Sequence, residues 1–191
     1  MIFRKLVEDI KAINRNDPAS RNIEFLVYPG LHAIVMHRFI HVLYHLKIPF
    51  FPRLFSQINR FLTGIEIHPG ATIGAGLFID HGAGIVVGET AEIGENCVLF
   101  HNVTLGGTGK HKGKRHPTLG DNVAIGTGAT ILGPVKIGNN VRIGANTFIY
   151  MVDIPDDCTV VGTPALIVRK DGEKVHLKPQ PTIVPPDLLD E

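Results

Sequence analysis

Two short stretches of this chain combine side chains that can do chemistry with a setting that keeps them out of a core. The first is Asp80-His81, which follows Ile79 and precedes several glycines. A histidine there can act as a general base or can hydrogen-bond to the backbone at a corner, and the residues alone leave both open. The second, residues 106–116, contains no apolar side chain. We expect it to leave the fold as a loop on the functional face.

A group of histidines nearer the N-terminus offers a different chemistry. His37, His41 and His45 could share one face of a helix, and His32 lies five residues before His37. No Cys, Asp or Glu lies with them in that helix, and the spread over two turns exceeds the reach of a single ion. We therefore favour a packing or interface role over a metal site, and we expect no metal ligands.

A six-residue repeat sets the framework for these groups. Its period fits neither the 3.6-residue helix nor the alternation of an ordinary strand, and it predicts a parallel β-helix in which each hexapeptide supplies one strand and one corner. The glycines that follow repeat positions, such as Gly74 and Gly94, suit tight corners. The repeat positions are Ile67, Ile73, Ile79, Ile85, Val87, Ile93, Leu99, Leu105, Leu119, Ile125, Ile131, Ile137, Ile143 and Ile149.

The repeat is interrupted twice. Between Ile85 and Val87 the spacing slips to two residues, which a solenoid can absorb as a bulge or a widened corner. Between Leu105 and Leu119 the spacing is fourteen residues, and this gap holds the apolar-free loop. Both interruptions lie beside the side chains that can do chemistry.

Length and composition indicate one main domain and a smaller second domain. The chain has 191 residues, 44% of them apolar, and a formal net charge of +1, which argues against a general nucleic-acid binder. Cys97 falls on an inward position, so we expect a buried structural thiol. Charges interrupt the N-terminal apolar stretch, and no apolar run reaches about 18 residues. We therefore expect no membrane association and a cytoplasmic location.

Residues 1–63 show helical spacing instead of the repeat. Apolar residues predict an amphipathic helix over 2–14, and further helices over 31–46 and 51–62. Asp17-Pro18 resembles another helix start, with Asp17 as N-cap and Pro18 at the first helical position. The expected domains are a helical segment (1–63), a β-helix (64–168) and a proline-rich, extended C-terminal tail (169–191).

Several motifs together carry a family resemblance. Glu66-Ile-His-Pro, Asp80-His-Gly, Gly106-Gly-Thr-Gly-Lys and Arg115-His-Pro occur in this order along the solenoid. Over roughly residues 1–170 the chain closely resembles serine O-acetyltransferase, in the short form of that family. The resemblance implies an α+β fold, in which an N-terminal helical segment precedes a left-handed parallel β-helix with one extended loop. It also implies acetyl transfer from acetyl-CoA to L-serine, the first step of cysteine synthesis.

The resemblance assigns roles to particular residues. His81 is the expected general base, and Glu66 stands where the family has the aspartate that orients it. Glutamate keeps the charge and adds one methylene, which changes the geometry of the pair. The remaining expected substrate contacts are Asp17 and Asp80 for the ammonium and hydroxyl, Arg115 for the carboxylate, and His116 for the oxyanion or for pairing with Asp80.

Acetyl-CoA needs a slot along the solenoid, backbone amides for its pantetheine arm and cations for its phosphates. The resemblance places the arm along small residues, and surface cations are the candidate phosphate contacts. The expected cofactor-binding residues are Gly107, Thr108, Gly109, Lys110, Thr127, Ala145, Arg169 and Lys170. Residues 106–110 lack the spacing of a nucleotide-binding P-loop, and no βαβ unit surrounds them.

Alternatives remain open at this point. The chain could acetylate another hydroxyl acceptor, such as a sugar or an antibiotic, or be a zinc-dependent hydratase using His81, His111 and His116. A third possibility is a scaffold role towards O-acetylserine sulfhydrylase. That partner is in doubt because the family docks a terminal isoleucine and this chain ends in Asp-Glu. The resemblance also implies homotrimers, possibly paired into hexamers, and inhibition by cysteine at the serine site.

Overall fold

Three helices form the N-terminal part. The computed structural model describes residues 2–20, 23–109 and 112–181. α1 is Ile2–Asn16, α2 is Pro29–His45 and α3 is Phe51–Thr63, and a short 3-10 helix, Glu24–Val27, lies between α1 and α2. The helices predicted over 2–14, 31–46 and 51–62 are therefore confirmed. Gly64 closes α3 in the left-handed conformation, with its N–H bonded to the Arg60 carbonyl oxygen.

The expected helix start at Asp17 is wrong. Residues 18 and 19 form a turn, and the Asp17 Oδ1 accepts a hydrogen bond from the Ala19 N–H at 2.8 Å without a helix following. Asp side chains bond to the backbone two residues on in such turns as readily as at helix starts, which is why the pattern misled. Helix α2 instead begins at Pro29, because proline at a first helical position lacks the N–H that would have no partner.

Short parallel strands make the sides of a triangular solenoid. The first face is β1 (Glu66–Ile67), β4 (Val86–Val87), β7 (Thr104–Gly106), β10 (Thr130–Leu132) and β13 (Phe148–Tyr150). The second face is β2 (Thr72–Ile73), β5 (Glu92–Ile93), β8 (Thr118–Leu119) and β11 (Lys136–Ile137). The third face begins with β3 (Phe78–Ile79), β6 (Val98–Leu99), β9 (Ala124–Ile125) and β12 (Arg142–Ile143).

The C-terminal part extends the third face and adds a separate pair. β15 (Cys158–Val161) continues the parallel stack, and β16 (Leu166–Lys170) and β17 (Glu173–Leu177) join it as antiparallel strands. β14 (Val152–Asp153) pairs with β18 (Gln180–Pro181). The first part of the expected tail is thus a β-hairpin against the solenoid, and residues 182–191 lie outside the described residues.

The repeat fills the interior as expected. Every repeat position is at most 3% exposed, so the aliphatic side chains stack as one continuous core. Cys97 is fully buried, and burial raises the pKa of its thiol to about 11, which fits a structural role. The fold class, helices followed by a parallel β-helix with one loop, is confirmed.

The first irregularity lies one corner earlier than the sequence suggested. Ile79 in β3 is followed by Val87 in β4 as the next strand-borne repeat position, and Ile85 is an inward residue that precedes the strand. The two extra residues therefore widen the corner at residues 80–85. This corner contains Asp80 and His81.

Glycine is required at these repeat positions for a different reason from the predicted one. A Cβ on Gly74 would lie 2.4 Å from the Gly94 carbonyl oxygen, and one on Gly94 would lie 2.4 Å from that of Gly120. Glycine is needed there because the next coil passes too close for a side chain. The sharp turns fall largely on asparagines with positive φ, such as Asn96 and Asn122, a conformation that asparagine tolerates.

A buried ion pair fixes the helices to the first coil. The Arg38 Nε and Nη2 donate to the two carboxylate oxygens of Asp9 at 2.7 and 2.8 Å, and Nη2 also donates to the Gly74 carbonyl oxygen. Asp9 Oδ1 accepts the Gly76 N–H at 2.9 Å. α2 also passes so close that a Cβ on Gly30 would lie 2.4 Å from the Ile79 carbonyl oxygen. The helices are thereby held beside the widened corner.

Candidate active site

Two edges of the solenoid carry the candidate residues. We call the edge between the third and first faces the base edge; it includes residues 80–85, 100–103, 126–129 and 144–147. We call the edge between the first and second faces the loop edge; it includes residues 88–91, 107–109 and 112–117. Each edge is a stack of corners from successive coils.

His81 lies at the widened corner of the base edge. Its backbone has a φ of 59°, the left-handed conformation seen at the asparagine corners, and its side chain is 74% exposed. Its Nε2 lies 3.7 Å from the Asp80 Oδ1, too long for a hydrogen bond. An exposed imidazole beside a carboxylate is accessible to a substrate and able to take up a proton.

Asp17 joins this cluster from the turn after α1. The Tyr28 hydroxyl donates a short hydrogen bond to the Asp17 Oδ2, and the Ala19 N–H donates to Oδ1. The Tyr28 hydrogen bond is the main cause that lowers the pKa of the Asp17 carboxyl, and the charge of His81 acts in the same direction. Asp17, Asp80 and His81 thus place two carboxylates and one imidazole at the base edge.

Glu66 makes different contacts from those expected. Its carboxylate pairs with Arg53 at 3.3 Å and with Arg60 at 3.0 Å, both on α3. Within the described residues, no hydrogen bond or ion pair joins Glu66 to His81. The chain therefore brings Asp80 to His81, while Glu66 faces the arginines of α3.

Arg115 and His116 rest on Glu89-Thr90 at the loop edge. The Arg115 guanidinium donates a short hydrogen bond to the Glu89 Oε2, and the Tyr44 hydroxyl donates to Oε1 at 3.0 Å. The Thr90 Oγ1 accepts the backbone N–H of Arg115 at 3.0 Å and that of His116 at 3.2 Å. This platform orients both side chains at the end of the loop.

The environment of His116 keeps its imidazole neutral. The residue is 8% exposed, and its Nδ1 accepts the Thr90 N–H at 3.2 Å. Burial and the nearby charge of Arg115 lower the pKa of His116 to about 4. The proton therefore resides on Nε2, which becomes a hydrogen-bond donor and not a cation. Among the described residues no hydrogen bond or ion pair joins His116 to Asp80, and the two lie on different edges of the solenoid.

The candidate cofactor residues are divided between the two edges. Thr127 and Ala145 occupy successive corners of the base edge, where the Asn146 N–H donates to the Thr127 carbonyl oxygen at 2.8 Å. Residues 107–109 begin the loop on the other edge. Arg169 and Lys170 end β16, away from both clusters along the chain, and the Arg169 Nη1 donates to the Gly172 carbonyl oxygen. Lys110 and His111 lie outside the described residues.

The first face separates the two clusters of one chain. The extended backbone from Ile85 to Gly88 spans roughly 10 Å at the rise of a β-strand. That is longer than one small amino acid can bridge with its functional groups. Asp17, Asp80 and His81 on one side, and Arg115 and His116 on the other, are therefore two half-sites.

Sequence reasoning missed the residues that orient these groups. Glu89 and Thr90 stand in the stretch that resembles the family, yet nothing local shows that they meet Arg115 and His116, which are 26 residues away. Tyr28 and Tyr44 are likewise ordinary helix-start and helix residues in the sequence. Their partners are brought to them only by the fold.

Two other expectations concern metal binding and membrane-spanning helices. Among residues 2–20, 23–109 and 112–181 no group of three or more His, Cys, Asp or Glu is placed to hold a metal ion. The helical histidines contact one another and the backbone instead: His37 Nε2 to the Ala71 carbonyl oxygen, and His41 Nδ1 to that of Pro69. In the same described part of the chain, no helix has the length and apolar character to span a membrane.

Comparisons with known proteins bear on these clusters. The bacterial transferase hexapeptide family (six repeats) matches residues 116–150. The serine acetyltransferase of Bacillus subtilis (strain 168) is 54% identical over 178 residues, covering 92% of this chain and 82% of the relative. That of Helicobacter pylori (strain J99) is 52% identical over 164 residues, covering 85% of this chain and 95% of the relative.

Solved structures agree in fold. The crystal structure of Neisseria gonorrhoeae serine acetyltransferase matches with a TM-score of 0.86 and 41% identity, over 91% of this chain and 67% of that one. A serine acetyltransferase in complex with cysteine matches with a TM-score of 0.86 and 38% identity, over 89% and 66% of the two chains. Soybean serine acetyltransferase complexed with serine matches with a TM-score of 0.82 and 42% identity, over 86% and 68%. On this identity and coverage, the chain belongs to the serine acetyltransferase family.

Proposed function

We propose that this protein transfers the acetyl group of acetyl-CoA to the hydroxyl of L-serine, giving O-acetylserine and CoA. The observation that carries the proposal is the pair of half-sites. One holds the carboxylates of Asp17 and Asp80 beside the exposed imidazole of His81, and the other holds an oriented Arg115 guanidinium. Their charges complement zwitterionic serine, whose ammonium pairs with carboxylates and whose carboxylate pairs with a guanidinium.

The reaction follows from the positions of these groups. His81 takes the proton of the serine hydroxyl as its oxygen attacks the thioester carbon, a contribution of about 10²- to 10⁴-fold for a positioned base. The C–S bond then breaks, and the thiolate takes a proton from the imidazolium. The Nε2–H of His116, fixed by Thr90, suits the oxyanion that forms during attack.

A second copy of the chain completes the site in this proposal. The base edge of one subunit faces the loop edge of the next. His81 of one subunit and the Arg115 guanidinium of the neighbouring subunit then act on one serine. Such a closed ring of heterologous contacts accounts for a trimer around the solenoid. Large apolar side chains exposed on α3 suit pairing of trimers into hexamers: Phe51 at 51%, Ile58 at 41%, Phe61 at 89% and Leu62 at 67% exposure.

The same arrangement supplies a slot for acetyl-CoA. Its pantetheine arm would run down the base edge past Thr127 and Ala145, with the residues 107–109 of the neighbouring loop closing over it. Small side chains at these places permit a close-passing chain. Cysteine, which differs from serine only in sulfur for oxygen, would fit the same charges and inhibit by occupying the serine site.

Thiol release from acetyl-CoA tests the proposal. The expected result is CoA release that depends on L-serine, and that homoserine and a panel of sugars support poorly. His81→Ala should lower kcat by at least about 100-fold, the lower bound for losing a positioned base. His176→Ala, a change at an exposed residue of β17, serves as the control. Equal turnover with sugars, or an active His81→Ala enzyme, would contradict the proposal.

A further inference from the structure

We propose that a second histidine, His101, contacts the thioester and donates a hydrogen bond to its sulfur as the thiolate leaves. This inference rests on the proposed function. Strand register and a ring contact place His101 in one column with three candidate site residues. The rings of His81 and His101 are in contact. β6 pairs with β9 so that His101 stands over Thr127, and β9 pairs with β12 so that Thr127 stands over Ala145.

The spacing of this column matches the substrate. Neighbouring strands lie about 4.8 Å apart, so each residue of the column lies about that distance from the next one along the solenoid axis. The acyl carbon must be within reach of the hydroxyl that His81 deprotonates, and the pantetheine arm continues past Thr127. The sulfur joins these two parts. His101 is the residue of the column that lies at that level.

The tautomer of His101 suits a donor. Its ring meets that of His81 edge to face, with centroids 5.9 Å apart. Its Nδ1 is buried and has no hydrogen-bond partner among the described residues. Burying an N–H that lacks an acceptor costs more free energy than burying an acceptor nitrogen that lacks a donor. The proton of the neutral ring therefore belongs on Nε2. Nε2 is then the nitrogen available to a ligand in the groove of the base edge.

The hydrogen bond from His101 to the sulfur transfers no proton. The serine oxygen forms its bond to the thioester carbon, and the hydroxyl proton goes to His81. The electron pair of the C–S bond stays on sulfur, where negative charge grows as the bond breaks. His101 keeps its proton throughout and stabilises that charge through Nε2–H, an interaction stronger in the transition state than with the bound thioester.

Three variants test the role: His101→Ala, which removes the donor; His101→Gln, which keeps a side-chain N–H; and His176→Ala as the control. We expect His101→Ala to lower kcat at least about tenfold, a smaller loss than the roughly 10²- to 10³-fold for a donor to an oxyanion. The KM for serine and the dissociation constant of CoA should stay within about twofold. His101→Gln should recover most of kcat, and His176→Ala should equal wild type.

The outcomes separate the inference from the function on which it rests. If wild-type protein releases no CoA with serine, the proposed function fails. If wild type is active and folded His101→Ala has the same kcat, or if His101→Gln is as slow as His101→Ala, the donor role of His101 fails alone. Thermal melts identify misfolded variants. If His101→Ala misfolds, His101→Gln alone decides, because loss of its kcat in a folded protein overturns the role.

Discussion

Arg115 and Glu89 form an ion pair across the loop edge, and Tyr44 of α2 donates to the second oxygen of the same carboxylate. The hydrogen bond from Arg115 is the main cause that lowers the pKa of Glu89, so the carboxylate stays charged. The helical segment therefore takes part in orienting a guanidinium of the solenoid.

Removing this support should weaken serine binding. Glu89→Ala frees the Arg115 guanidinium, and we expect the KM for serine to rise at least about tenfold. Tyr44→Phe removes one hydrogen bond, worth about 0.5–1.5 kcal/mol, and should raise that KM by about two- to tenfold. Steady-state kinetics measure both. Glu92→Ala, which removes an exposed ion pair with Lys114 at the same edge, is the matched control, and an unchanged KM in Glu89→Ala would refute the role.

Glu66 has two possible roles that kinetics can separate. If it orients His81 in the working enzyme, Glu66→Gln lowers kcat about tenfold or more and Glu66→Asp retains it. If it serves only the ion pairs with Arg53 and Arg60, which are exposed, loss of its charge changes the free energy of unfolding by less than about 1 kcal/mol. We expect the first result, because the Glu66 N–H donates to the Ile85 carbonyl oxygen at 2.9 Å, which places Glu66 beside the corner that carries His81. Arg60→Gln controls for the ion pair, and wild-type turnover in Glu66→Ala would leave only the structural role.

Gly88 makes room for the imidazole of His116. A Cβ on Gly88 would lie 2.0 Å from the His116 Cδ2, so Gly88→Ala must displace the ring. We expect kcat/KM for serine to fall at least about tenfold with an unchanged circular dichroism spectrum, since losing one preorganised donor costs that much or more. Gly172→Ala adds backbone strain at a φ of 83°, but no atom lies within 4 Å of the added carbon, so it should keep activity and controls for the strain of an added methyl group. Full activity of Gly88→Ala would count against His116 in the site.

Tyr28 should act through Asp17. Tyr28→Phe removes the hydroxyl that holds the Asp17 Oδ2 and leaves the ring in place. We expect the KM for serine to rise about two- to tenfold while the KM for acetyl-CoA stays unchanged, because a typical hydrogen bond contributes about 0.5–1.5 kcal/mol. Equal changes in both constants would indicate a general disturbance of α2 instead.

Histidines that are buried in neutral form should make stability depend on pH. Burial lowers the pKa of His37 to about 3, and burial and Arg115 lower that of His116 to about 4. The unfolded chain takes up protons on these rings below about pH 6.5, and the folded protein does not. The free energy of unfolding should therefore fall as pH drops from 6.5 to 5.

Urea unfolding at several pH values within this range measures the slope. This pH range lies above the one in which the carboxyl groups of Asp17 and Glu89, whose pKa values are lowered, make the free energy of unfolding depend on pH. His41 and His68, whose pKa values burial also lowers, add to the slope with the same sign. His37→Gln removes one of these titrations and should reduce the slope. A slope equal to that of wild type would mean that His37 takes up a proton in the folded state.

Much of the fold could be predicted because its signals are local. A six-residue period, visible from Ile67 to Ile149, specifies a stacked core without knowledge of any distant contact, and helical periodicity located α1, α2 and α3. The errors arose where one local pattern serves two structures. Asp17-Pro18 starts a turn as readily as a helix, and a glycine can mark either a turn or a close approach.

The sequence by itself determined the solenoid, the loop at its main interruption and a short set of residues able to do chemistry. Only the tertiary structure decided which of them meet. It placed His81 and His116 on different edges, turned Glu66 towards Arg60, and stacked His101 between His81 and Thr127. The physical reason is that side chains act over a few ångströms. Residues about twenty positions apart come within that distance only when successive coils stack in register.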